Sequence, residues 1–99
     1  MPTTVVFHRL AAREYRNSRD WYAARSDSVA ERFRIAVDRA VARVEAEADA
    51  LPVHSGPYRW VRVRRFPYLL IFRRKSPEVI VIVAVAHTSR RPGYWRRRM

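Results

Sequence analysis

"VIVIVAVA", residues 79–86, is eight apolar residues long and contains no polar break. A strand with one wet face alternates in polarity, so an unbroken run rich in valine and isoleucine reads as a strand apolar on both faces. It is far too short to cross a bilayer. It has to be a central strand, and the other elements must be arranged around it. Upstream, "YRWVRVRRF" (58–66) alternates and "YLLIFRR" (68–74) is a second apolar run, with "KSPE" (75–78) as the turn into the last strand. "PVHSGP" (52–57) reads as a loop.

The first half has a different period. "TTVVFHRL" (3–10) alternates around Val5 and Phe7 as a first strand. Ala11, Tyr15, Ser18 and Tyr22 then recur at helical spacing, which predicts a helix over 11–25. Ser28 and Glu31 have the spacing of a capping box, which predicts that a second helix starts there. Its stripe runs from Val29 through Phe33, Val37, Val41 and Val44 to Leu51, and Pro52 stops it. Glu45, Glu47 and Asp49 lie near that helix's end, where the helix dipole disfavours anions. The predicted fold is α+β in the order β-α-α-β-β-β, as one domain over residues 1–99. An antiparallel helical hairpin packs on one face of a small, mainly antiparallel sheet.

Charge divides the chain further. Residues 1–56 hold nine Arg or Lys against eight Asp or Glu, whereas residues 57–99 hold twelve against Glu78 alone. A one-sign field of this kind is aimed at something acidic. Nearly all the cations are arginine, and they are interleaved with Trp60, Tyr68, Tyr94 and Trp95, a composition suited to forked phosphate or carboxylate contacts and to stacking. If Val61 and Val63 face the helices, Trp60, Arg62 and Arg64 line the open face of the sheet, and the tail arginines can fold back there. The chain ends on "HTSRRPGYWRRRM", five arginines around a Pro92-Gly93 turn. The candidate partner-binding set is Trp60, Arg62, Arg64, Arg65, Arg73, Arg90, Arg91, Tyr94 and Trp95.

Several chemistries are excluded. Without cysteine there are no disulfides or thiolate metal sites, and a reducing cytoplasm suits the chain. The N-terminus does not read as a signal peptide, so a cytoplasmic location without membrane attachment is expected. Gly56 and Gly93 are isolated and cannot build a phosphate-cradling loop. His8, His54 and His87 lack metal-ligand spacing, so no cofactor or metal is expected. His87 follows the last strand into the basic tail and is the best placed of the three for proton transfer.

Taken together, "WY" in the first helix, "RVRRFPYLLIF" at 62–72 and "AVAHTSRRPGYW" at 84–95 resemble the RelE/ParE superfamily of bacterial toxins. The "FPY" strand entry with "H…R.PGYW" is closer to the ParE branch. The resemblance implies a toxin neutralised by a cognate antitoxin with an acidic C-terminal segment, in a hetero-oligomer, and a C-terminal extension ordered on the sheet. ParE-like members inhibit DNA gyrase without hydrolysis; RelE-like members cleave messenger RNA on the ribosome. Laid on this chain, the ribonuclease pattern puts its lysine pair on Trp60 and Arg62, one arginine on Leu69, another near Thr88 with Arg90 two residues on, and its tyrosine on Tyr94. A ribonuclease would therefore rely on Arg62, Arg64 and Arg90 at the phosphate, with His87 or Tyr94 as base. The missing arginine at Leu69 favours the gyrase reading.

Overall fold

The computed structural model of the chain describes residues 3–99. Strand β1 (Thr4–Phe7) leads into helices α1 (Arg9–Ala23) and α2 (Asp27–Glu47), followed by strands β2 (Val53–Ser55), β3 (Tyr58–Val63), β4 (Tyr68–Ser76) and β5 (Val79–His87). Single turns of 3-10 helix occur at Ala48–Ala50 and Arg96–Arg98. The sheet runs β1-β5-β4-β3-β2, with β1 parallel to β5 and the other pairs antiparallel. The helical hairpin and the mainly antiparallel sheet are as the sequence predicts. The apolar run is an interior strand, although β4 holds the middle of the sheet.

Four local expectations are corrected. Helix α1 starts at Arg9 rather than Ala11, because the His8 side chain accepts the Leu10 amide and ends the strand early. Helix α2 is capped by Ser26, whose hydroxyl accepts the Val29 amide, and not by Ser28. Glu31 does not reach back to the cap; it grips Arg34 in a forked pair with a shortest contact of 2.6 Å. The segment read as a loop contains β2, a three-residue edge strand paired with β3.

Two cores follow from β5 being apolar on both faces. On the helix side, Phe33, Val37 and Val44 of α2 meet Val61, Val63, Leu70, Phe72, Ile80, Ile82 and Val85. Phe33 is the hub, with rings of Tyr15, Tyr22, Phe66 and Tyr68 between 5.1 and 5.9 Å away. Tyr15 stacks on it and Phe66 and Tyr68 meet it edge-to-face, contacts that add to what burial alone contributes. On the other side, Tyr58, Ile71, Val81, Val83, Ala84 and Ala86 are covered by Trp95. The β4–β5 register shifts between the Ile71–Ala84 and Phe72–Ile82 pairs, so Val83 is the extra residue of a bulge. That bulge sends Val83 and Ala84 to the same side, where the tail lies.

Candidate functional site

The C-terminal segment is an ordered layer. After β5 it turns at Pro92-Gly93, where Gly93 takes φ +81° and a side chain would strike the Arg96 guanidinium. The turn drops Trp95 onto Tyr58 and His54 with ring centroids 4.6 and 5.1 Å apart, leaving the indole 1% exposed. Arg96 then reaches Ser55 at 2.9 Å, tying the tail to β2. Trp95, a candidate for partner contact by sequence, is a core residue of the sheet's second face.

The segment's other anchor is on α1. Glu14 accepts both arms of Arg98 at 2.9 Å and the Tyr94 hydroxyl at 2.6 Å. Arg90 stands 3.5 Å away. Glu14 also accepts the Val85 amide at 3.0 Å, just past the bulge, where β1 has ended and β5 has no strand to pair with on that edge. Arg98 donates on to the Val83 carbonyl at 3.0 Å. The Glu14 and Arg98 side chains are only 14% and 12% exposed. The arginine's pKa rises chiefly through the hydrogen bonds to Glu14. Burial, then the bond to Glu14, pushes the Tyr94 phenol well above its usual value. The guanidinium carbons of Arg90 and Arg98 also lie 3.8 and 5.1 Å from the Tyr94 ring centre.

The remaining candidates are scattered. Trp60 packs half-buried against the tail-side core, with Arg62 exposed beyond it on the same strand. Arg73 is half-buried, its guanidinium 5.5 Å from the Tyr58 ring and its Nε buried without an acceptor. Arg91 is exposed. His87 accepts the Ser89 amide at 3.0 Å through Nδ1 and meets Tyr68 edge-on. These groups do not form one cluster.

Arg64 departs from expectation and lies with Arg65. They belong to the turn after β3, not to the open face, and join Arg32, Arg39 and Arg43 of α2 around a groove of about 620 Å³. Its floor is apolar: Val29, Ile35, Ala36 and Phe66. Arg65 holds φ +69°, a conformation that costs a non-glycine residue about 1–2 kcal/mol. Among the described residues no group of three or more His, Asp or Glu could hold a metal, and no helix is long and apolar enough to cross a membrane.

Sequence reasoning missed Glu14. The available signal was its place beside Tyr15 on the stripe from Ala11 to Ser18, an acid where α1 turns towards the sheet.

This geometry is that of a small α+β domain in which a basic tail closes the second face of the sheet. Residues 5–92 match the family described as ParE toxin of type II toxin–antitoxin system, parDE, and the chain belongs to that family. Its structure is similar to a solved chain of a chromosomal ParDE toxin–antitoxin system from P. aeruginosa. The TM-score is 0.75 and the identity 18%, over 86% of this chain and 95% of that one, a likeness of fold. No curated protein matches the sequence.

Proposed function

We propose that this toxin acts by binding DNA gyrase and blocking it without hydrolysis, and that a cognate antitoxin silences it. The observation that carries the non-hydrolytic reading is the state of Tyr94. A base must take up a proton, yet this hydroxyl donates to Glu14 and its pKa is raised by burial and by that carboxylate. The position where the ribonuclease pattern requires arginine is Leu69, packed half-buried against the tail-side core. Neither residue is equipped to stabilise a phosphorane-like charge.

The groove on α2 supports the antitoxin half of the reading. An apolar floor with five arginines around it suits an amphipathic helix bearing carboxylates on its margins. A segment of that kind is disordered alone and orders on binding.

Purified toxin added to a gyrase supercoiling reaction should inhibit it, and brief expression should give DNA breaks and an SOS response with intact transcripts. Tyr94→Phe should keep this toxicity, because the Glu14–Arg98 fork still holds the tail. Cleaved transcripts, together with a Tyr94→Phe protein that folds, binds antitoxin and is harmless, would establish the ribosome-dependent endoribonuclease instead.

A further inference from the structure

We infer that Glu14 is the positioning residue for toxic action: it holds the basic C-terminal segment in one pose without itself touching the target. This rests on the reading of the chain as a toxin, but not on which target it meets. Three observations converge on it. Glu14 is the only acid among the described residues that the tail's side chains contact, and it engages Arg98, Tyr94 and Arg90 together. Its own fixing is twofold, by α1 and by the Val85 amide of the strand edge. The same carboxylate is screened from solvent by the groups it binds, so a target cannot approach it while the tail is closed.

The tail's cations then divide by role. Arg98 is turned inward onto Glu14 and Arg90, itself exposed, leans towards it at 3.5 Å, whereas Arg91 and Arg97 are exposed and have no carboxylate partner among the described residues. The inward groups fix the backbone from which the outward groups project. A guanidinium on an unanchored chain must be ordered when it binds, and that ordering reduces affinity; a preorganised one avoids the loss. Removing the charge of Glu14 leaves Arg98 part-buried and unpaired, and the least costly response is for the last turn beyond Trp95 to loosen while the indole stays in the core. The antitoxin groove on the far edge of α2 shares no residue with this network.

Glu14→Gln in the full chain is the test, since it keeps the side chain's shape, removes its charge and replaces one of its two accepting oxygens by a donor. Growth arrest on expression should be lost. The concentration for half-inhibition of supercoiling should rise roughly tenfold or more, equivalent to about 1.4 kcal/mol. Amide exchange over residues 96–98 should accelerate while antitoxin affinity stays unchanged. Arg98→Gln should show the same split, and the double variant should be no worse than either single one, as expected of one shared interaction. If Glu14→Gln fails to fold, the Arg98→Gln result decides alone. Full toxicity despite a loosened tail would overturn the proposal, as would a tail protected as in the parent. Additive losses in the double variant would overturn it too. A parent protein that arrests growth without inhibiting gyrase would sink the gyrase reading only, because growth and exchange still report on Glu14.

Discussion

Phe33 and Glu14 are both held by neighbours from several elements, but only one of them announces itself. Phe33 sits on a helical stripe with Val37 and Val44, so its burial was legible from periodicity; it is 0% exposed and ringed by four aromatics. Phe33→Ala should lower stability by about 3–5 kcal/mol in denaturant unfolding, since the transfer loss and the cavity add. An unchanged midpoint would remove it from the core. The partners of Glu14 lie 71 to 84 residues away, and no local pattern encodes such a meeting. Its presence should be readable in the ionisation of Tyr94. A tyrosine whose folded pKa is raised keeps its proton after the unfolded chain has lost it. The linked stability is therefore complete below the usual value of 10.0 and declines as pH rises above it. Spectrophotometric titration should show late phenols at Tyr94 and at Tyr22, which burial also pushes up, and Tyr94→Phe should remove one of them. If that variant leaves the late phase unchanged, Tyr94 is not among the delayed phenols.

At the scale of elements, types were legible and boundaries were not. The change from period 2 to helical spacing and back marks β1, the two helices and β3 without ambiguity. The start of α2 was misplaced because Ser26 and Ser28 both carry a capping hydroxyl, and S-x-x-E spacing favours the second on paper. The backbone decides otherwise: Ser26 is extended at φ −165° with its side chain on the Val29 amide. Ser26→Ala should therefore cost about 1 kcal/mol in thermal unfolding, whereas Ser28→Ala should be nearly neutral. The reverse order would restore Ser28 as the cap. Two of the three acids near the end of α2 also find their account in the fold. Glu47 pairs with Arg43 at 2.9 Å and Asp49 with Arg74 of β4 at 3.1 Å, so basic neighbours offset the unfavourable dipole there. Strand β2 escaped notice because three residues cannot display a period, and its pairing to β3 is irregular.

Over the whole molecule, charge is the quantity that folding leaves uncompensated. Residues 57–99 carry twelve basic groups and Glu78. The contacts that do reach an acid from this half run to Glu14 and Asp49 of the first half. Arg62, Arg64, Arg65, Arg91 and Arg97 are left on the surface, spread between the groove edge, the tail and the open end of β3. The asymmetry was legible in the sequence; its division between a groove on one layer and a tail on the other was not, because strand alternation cannot foresee that the turn at residues 64–67 leaves the sheet. An acidic antitoxin segment meeting this surface should be steered from a distance as well as held on contact. A ligand that binds only the folded chain adds about 4 kcal/mol when present at a thousand times its dissociation constant, so the complex should melt well above the free toxin. Screening length shrinks from about 30 Å at 0.01 M salt to about 8 Å at 0.15 M, and the association rate should fall steeply over that range. Reversing one groove arginine, Arg39→Glu or Arg64→Glu, should both slow association and speed dissociation, because the contact and the field are lost together. Arg97→Glu, exposed on the tail, should slow association at low salt and leave dissociation unchanged. Stopped-flow mixing of each variant with antitoxin at the two salt concentrations separates these effects. A rate indifferent to salt would mean that the basic half does not guide the antitoxin, and equal dissociation from all three variants would place the antitoxin's carboxylates away from the α2 groove.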